Sequence, residues 1–260
     1  MKTITAADGT SIAWDEDGAG EPVLLVHGLT ESRDNWAPIV ERLSTTHRVI
    51  ALDLRGHGAS SDAADYGLEA MAGDVVAVAI EAGAERPHLV GHSLGGTVVA
   101  AVGAVAPVAS VTIVDQSLRL GAFKQQVMGF ESELRDPATF PAVIDAMFQM
   151  MAGPLLGTAE FDEITATRRA EQAVVLGVWD LLFTLSEAEL TDVVEAAMSG
   201  YGADGAPVLS LFGADPGPGY GDWLAARVPG AITELWPDQG HYPHLVDPDR
   251  FVTRLRTFWA

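Results

Sequence analysis

The pentapeptide Gly91-His92-Ser93-Leu94-Gly95 is the segment that most restricts the fold of this chain. It follows a short apolar run at residues 88–90 and opens an almost wholly apolar, helix-like stretch that continues to Val105. Glycine at both flanks indicates a tight turn in which a larger side chain would collide with neighbouring backbone. We therefore expect a strand, a sharp turn that presents Ser93, and a helix whose free N–H groups lie beneath the serine.

Strand-like and helix-like segments alternate on both sides of this turn. The alternation predicts an α/β fold, a mostly parallel sheet with helices on both faces. Short apolar runs such as residues 23–26 are typical of strands that are buried on both faces. The predicted strands are residues 11–15, 23–26, 49–52, 88–90, 109–114, 208–212 and 232–236, and the predicted helices are residues 36–43, 68–82, 93–105, 220–228 and a last one from Pro248 with Asp247 as N-cap.

The alternation stops over residues 116–205, where only helical patterns are found. They cover residues 141–151, 161–173, 174–185 and 187–198. We expect a helical cap, or lid, inserted into a core domain that consists of residues 1–115 and 206–260. Such a cap would cover the carboxyl ends of the strands, where ligands bind in open α/β sheets.

Charge and composition exclude several classes of function. The chain of 260 residues has 15 basic and 36 acidic side chains, a net charge of −21, so neither nucleic acid nor an anionic membrane surface is expected as a partner. We interpret the acidity as a means of solubility, with repulsion of anionic substrates as the alternative. The absence of cysteine excludes disulfides, thiolate catalysis and Cys-ligated zinc.

The sequence also bears on localisation and assembly. Residues 1–9 lack the apolar region of a signal peptide, and no apolar run has the length of a membrane span. We expect a cytoplasmic protein that needs no metal or organic cofactor. The sequence leaves a homodimer open.

A serine needs a base to act as a nucleophile. His241 follows the last predicted strand, and we assign it as the general base, with nearby His244 as a packing residue. The acid that orients His241 has two candidates, each placed directly after a strand. Asp215 is our first choice and Asp115 is the alternative.

Two backbone N–H groups are the expected donors to a developing oxyanion. Leu94 directly follows the serine, and Leu29 lies in the loop after the strand 23–26. His27 in this loop, and Arg55 and His57 in a later one, are expected to hold the loops in place rather than to catalyse.

Four segments together resemble the α/β-hydrolase superfamily. They are His27-Gly28, Asp53-Leu54-Arg55-Gly56-His57-Gly58-Ala59-Ser60, Gly91-His92-Ser93-Leu94-Gly95-Gly96 and Gly240-His241, in this order. The chain looks like the small bacterial members, which include esterases, lactonases, carbon–carbon-bond hydrolases and cofactor-free haloperoxidase-like proteins. The resemblance covers residues 1–115 and 206–260 and implies an eight-stranded, mostly parallel sheet with a Ser-His-Asp triad.

Two details of the resemblance sharpen the assignment. Ser93 stands where epoxide hydrolases and haloalkane dehalogenases carry aspartate, so the chain is unlike those two groups. The segment Gly213-Ala214-Asp215 is one residue shorter than the family pattern, and some lactonase-type relatives place the acid after the earlier strand. Asp115 therefore stays beside Asp215 as a candidate.

We expect a serine hydrolase that cleaves a carboxylic ester or lactone of an apolar or aromatic small molecule through an acyl-enzyme. Apolar side chains of the insert are the candidate substrate contacts: Met147, Met151, Trp179 and Phe183. No arginine or lysine stands out as a carboxylate clamp, because the candidates suit solvated helix faces better: Arg119, Lys124, Arg168 and Arg169.

Two other classes of function stay open. One is a carbon–carbon hydrolase, lyase or perhydrolase/haloperoxidase that uses the same site. The other is a slow-turnover ligand sensor, which a simple aryl-ester assay would distinguish from an esterase.

Overall fold

The computed structural model describes residues 1–201 and 205–260 and contains one eight-stranded sheet. The spatial order is β1-β2-β4-β3-β5-β6-β7-β8, with β2 antiparallel to both of its neighbours, β1 and β4, and the remaining neighbours parallel. The strands are β1 Lys2–Thr5, β2 Ser11–Gly18, β3 Pro22–Val26, β4 Arg48–Leu52, β5 His88–His92, β6 Ser110–Val114, β7 Val208–Phe212 and β8 Ile232–Leu235. The predicted fold class is confirmed.

Helices connect the strands and follow the last of them. The α-helices are α1 Ala37–Leu43, α2 Leu68–Glu81, α3 Leu94–Val105, α4 Gly121–Met128, α5 Glu131–Arg135, α6 Phe140–Met151, α7 Ala159–Thr167, α8 Gln172–Val178, α9 Asp180–Thr184, α10 Glu187–Met198, α11 Tyr220–Ala225, α12 Pro243–Val246 and α13 Pro248–Trp259. The Asp247 side chain accepts a hydrogen bond from Arg250 N at the start of α13, as expected for an N-cap.

The central strands are apolar on both faces because both faces are covered. In β3, Leu24 and Val26 pack into one cluster with α2 and α3, whereas Val23 and Leu25 pack into a second cluster with α1 and α13. This period of two is the geometry of a strand. It explains why the run at residues 23–26 has no polar side chain.

Helices α4 to α10 all lie between β6 and β7, within the predicted insert. Residues 202–204 of that insert lie outside the described residues, and its division from the core as a cap stays a prediction. Two predicted helices differ from the structure. The helix at 161–173 ends at Thr167 and gives way to extended backbone at Arg168. The helix at 174–185 is interrupted at Trp179, between α8 and α9.

Among the described residues, no helix has both the length and the apolar character needed to cross a membrane.

Candidate active site

Ser93 occupies a strained turn between β5 and α3. Its backbone angles are φ 52° and ψ −122°, in a region that non-glycine residues rarely adopt. A Cβ on Gly91 would lie 2.1 Å from Gly95 O, and one on Gly95 would lie 2.2 Å from Val26 O. Close backbone packing therefore requires both glycines and holds the serine, which is partly exposed, at the carboxyl end of β5.

The predicted oxyanion donors lie on the two segments that meet at this turn. Leu94 is the first residue of α3, and Leu29 follows β3, whose last carbonyl packs against Gly95. Among the hydrogen bonds of the described residues, none is donated by the backbone N–H of Leu29 or Leu94. Neither N–H group therefore has a hydrogen-bond partner in that part of the chain, and their role as oxyanion donors stays a prediction.

His241 is hydrogen-bonded to Asp115. The distance from His241 Nδ1 to Asp115 Oδ2 is 2.6 Å, and both side chains are about nine-tenths buried. The other carboxylate oxygen, Oδ1, accepts a bond from Gly213 N at 2.7 Å. Burial disfavours the charged carboxylate, but the bond and charge of His241 and the Gly213 N–H outweigh it and lower the pKa of Asp115.

Asp215, our first choice for the acid, lies in an exposed turn. Its side chain is exposed, and Oδ1 accepts a bond from Gly217 N at 2.8 Å within its own turn. This is the local bonding that aspartate favours in turns. The structure therefore corrects the preference for Asp215: the carboxylate that contacts His241 belongs to the alternative, Asp115.

Ser93, Asp115 and His241 follow β5, β6 and β8, so they meet at the carboxyl edge of the sheet. Within the described residues no hydrogen bond joins Ser93 Oγ and His241 Nε2. Such bonds often form only once substrate is bound. The arrangement suits a nucleophile, a base and a buried acid that fixes the base's tautomer.

Comparisons with known proteins identify the family of the chain. The sequence model that describes the alpha/beta hydrolase family matches residues 23–254 of the chain. The chain belongs to the alpha/beta hydrolase family.

Individual relatives of this hydrolase differ in how much of the chain they match. A pimeloyl-[acyl-carrier protein] methyl ester esterase from Aliivibrio salmonicida is 27% identical over 96% of both chains. A solved structure of the esterase RhEst1 from Rhodococcus sp. is 28% identical, with a TM-score of 0.78 over 99% of this chain and 98% of that one. An acetyltransferase component of the acetoin cleaving system from Cupriavidus necator is 42% identical, but over 41% of this chain. That match spans 30% of the relative's own length, and a second such component, from Pseudomonas putida, is matched over 42% of its length.

A buried pair that the sequence interpretation missed consists of Glu31, in the loop after β3, and His92, the residue before Ser93. Glu31 and His92 are 2% and 1% exposed. His92 Nδ1 lies 3.2 Å from Glu31 Oε2, and His92 Nε2 lies 2.8 Å from the backbone oxygen of His241. Because both partners are acceptors, both ring nitrogens of His92 donate, which only the protonated imidazole can do.

The charges of this pair follow from its surroundings. Burial disfavours both charged forms, but the mutual attraction and hydrogen bond outweigh it. They raise the pKa of His92 and lower that of Glu31. Glu31 Oε2 also accepts a bond from Gly28 N at 3.0 Å. The pair therefore joins the Leu29 loop, the serine turn and the His241 loop.

The other histidines near the site serve packing and loop structure. His27 Nε2 accepts from Leu54 N at 3.0 Å, and His57 Nδ1 donates to Arg55 O at 2.8 Å. Burial, together with the neighbouring His27, lowers the pKa of His57 to about 3. His244 is buried against Trp36 and His92.

The predicted substrate contacts share one apolar cluster with the two predicted oxyanion donors. Leu29, Met147 and Trp179 are buried members, and partly buried side chains packed against them include Leu94, Met151 and Phe183. In addition, Met151 O accepts a bond from His241 N at 2.8 Å. Residues of α6, α8 and α9 thus pack in one cluster with Leu29 and Leu94, next to Ser93. Their contact with substrate stays a prediction.

Proposed function

We propose that this hydrolase cleaves a carboxylic ester or lactone of a small molecule by acyl transfer through Ser93. The observation that carries the proposal is the 2.6 Å contact between His241 and the buried Asp115, at the same sheet edge as the strained Ser93. A fixed imidazole, a presented hydroxyl and two free N–H groups are the components that acyl transfer needs.

The reaction has two balanced steps. His241 Nε2 takes the Ser93 hydroxyl proton while Oγ attacks the carbonyl carbon, and the Leu29 and Leu94 N–H groups bind the oxyanion. The proton passes to the departing alcohol, which leaves an acyl-serine. Water then gives its proton to His241, attacks the acyl carbon and releases the acid as Ser93 recovers its proton.

The esterase names of two relatives support an ester as the substrate. The Aliivibrio salmonicida protein matches along nearly its whole length, and the Rhodococcus structure shares both fold and 28% identity. The apolar cluster beside Leu29 supports an apolar or aromatic acyl group, because Met and aromatic side chains line adaptable pockets.

The test is turnover of a panel of aryl esters and lactones by the wild type and by Ser93→Ala. We expect the substitution to lower kcat at least about 1,000-fold. Ser199→Ala makes the same chemical change on an exposed serine and should leave kcat unchanged. Labelling by a fluorophosphonate, followed by peptide mass spectrometry, should modify Ser93. Unchanged turnover in Ser93→Ala would contradict the proposal.

A further inference from the structure

Arg168 is a partly buried cation between the helices that cover the sheet edge. It directly follows α7, with extended backbone at φ −67° and ψ 139°. Its Nε donates to Thr30 Oγ1 at 3.1 Å, and the centre of its guanidinium lies 3.5 Å from the centroid of the Phe148 ring. The group is therefore held in a fixed orientation at two points.

Part of this guanidinium has no hydrogen-bond partner among the residues that the structure describes. Its Nη2 is buried and makes no hydrogen bond within the described part of the chain, and no carboxylate there lies within 4.0 Å of its nitrogens. The next residue, Arg169, pairs with Asp62 at 2.7 Å. A buried donor without an acceptor is costly and uncommon in folded proteins. In a chain with 36 acidic side chains, an arginine whose buried Nη2 lacks an acceptor among the described residues calls for an explanation.

The position of Arg168 connects it to the site. Thr30 directly follows Leu29, and Thr30 O accepts a further bond from Arg169 N at 2.8 Å. Phe148 belongs to the same buried cluster as Leu29. The guanidinium thus lies where the loop with an oxyanion donor meets the apolar cap cluster.

We propose that Arg168 binds a carboxylate of the substrate, so that the preferred substrate is an ester or lactone carrying one free carboxylate. This inference deepens the proposed function and rests on Ser93 chemistry at the same site. A guanidinium binds a carboxylate with parallel N–H bonds. One arginine balances one negative charge, whereas the second charge of a phosphate monoester would be left unpaired beside the apolar ring of Phe148.

A purely structural anchor for Thr30 is the competing role for Arg168. An anchor needs the Nε bond alone, and its loss should lower the melting temperature. A ligand-binding arginine held without a partner costs stability in the empty protein. Arg168→Met keeps the contact with Phe148 and removes the charge, and we expect it to melt no lower than the wild type.

The decisive experiment measures binding and is independent of turnover. Ser93→Ala protein is titrated calorimetrically with the monoethyl esters of linear dicarboxylic acids from succinate to suberate. The comparison set is the ethyl esters of monocarboxylic acids with the same numbers of carbons. We expect the best charged ester to bind about 10- to 100-fold more tightly than its neutral counterpart. Adding Arg168→Gln should abolish that preference, Arg168→Lys should retain part of it, and Arg169→Gln should leave it intact.

Turnover of the same esters by the Ser93 enzyme separates this inference from the proposed function. Hydrolysis of the neutral esters that disappears in Ser93→Ala supports the function whatever Arg168 does. Equal affinity for charged and neutral esters, or a preference unchanged in Arg168→Gln, would overturn the carboxylate subsite alone.

Discussion

Asp115 Oδ2 lies 2.6 Å from His241 Nδ1, although 126 positions of the chain separate the two residues. The contact arises because β6 and β8 flank β7, so both residues leave the sheet at one edge. Asp115 itself has φ 48°, a conformation that aspartate tolerates better than most residues. Its N–H donates to Leu211 O at 2.7 Å, which fixes the carboxylate behind the imidazole.

Replacing Asp115 by asparagine should leave the fold intact and lower kcat on an aryl ester about 10,000-fold. The amide favours the wrong tautomer of His241 and does not stabilise the imidazolium. Asp215→Asn is the matched control, because it makes the same change on the exposed aspartate, and its kcat should stay within about twofold of wild type. The ordering is checked by steady-state kinetics at neutral pH. A larger loss in Asp215→Asn than in Asp115→Asn would refute the assignment.

Glycine at position 95 is required by contact between α3 and the end of β3. In Gly95→Ala the new Cβ would lie 2.2 Å from Val26 O and 2.6 Å from His27 O, both backbone atoms. We expect the free energy of unfolding to fall by about 3 kcal/mol, as measured by urea denaturation. Gly73→Ala in α2 places a Cβ with nothing within 4 Å, and should stabilise the protein by up to about 1 kcal/mol. Similar effects of the two substitutions would show that this contact does not constrain the turn.

The strands and the serine turn are predictable because their signals are local. Residues 208–212 form the same strand in the sequence interpretation and in the structure. The short β1 was missed because Lys2–Thr5 is mostly exposed and has a weak apolar pattern. Sequence signals thus work where burial on both faces selects an unbroken apolar run.

The positions of Asp115 and Arg168 depend on contacts between distant parts of the chain, which the sequence does not reveal. No local pattern distinguishes Asp115 from Asp215, since each follows a strand. Arg168 was interpreted as part of a solvated helix because residues 161–173 look helical, yet α7 ends at Thr167. Arg168 and Arg169 donate hydrogen bonds to Thr30 at the point where the backbone becomes extended after α7. Such tertiary contacts override local propensity.

The ion pair between Glu31 and His92 should matter for both stability and activity. Glu31→Gln leaves a buried imidazolium without its carboxylate and should lower the free energy of unfolding by about 3 to 5 kcal/mol. It should also lower kcat about 10- to 100-fold, because His92 positions the His241 loop through the 2.8 Å bond to its backbone oxygen. Denaturation and kinetics on the same preparations measure the two effects.

A double-mutant cycle with His92→Gln isolates the pair. Removing both charges at once should cost much less stability than the sum of the single losses. Additive losses would mean that the two side chains act independently.

The stability that this pair supplies should depend on pH in a defined direction. Because the pKa of His92 is raised in the folded protein, its contribution is complete below the unfolded value of about 6.5 and is lost as pH rises through the folded value. The lowered pKa of Glu31 makes its contribution complete above its unfolded value of about 4.3, and that contribution is lost only in stronger acid.

The difference in melting temperature between the wild type and Glu31→Gln/His92→Gln should therefore be largest between about pH 4.5 and 6.5 and should shrink on the alkaline side. Melting curves of both proteins from about pH 4.5 to about pH 9 measure this difference on both sides of the unfolded pKa of His92. A difference that grows from pH 6.5 upward would mean that His92 is neutral in the folded protein and that its contact with Glu31 is not an ion pair.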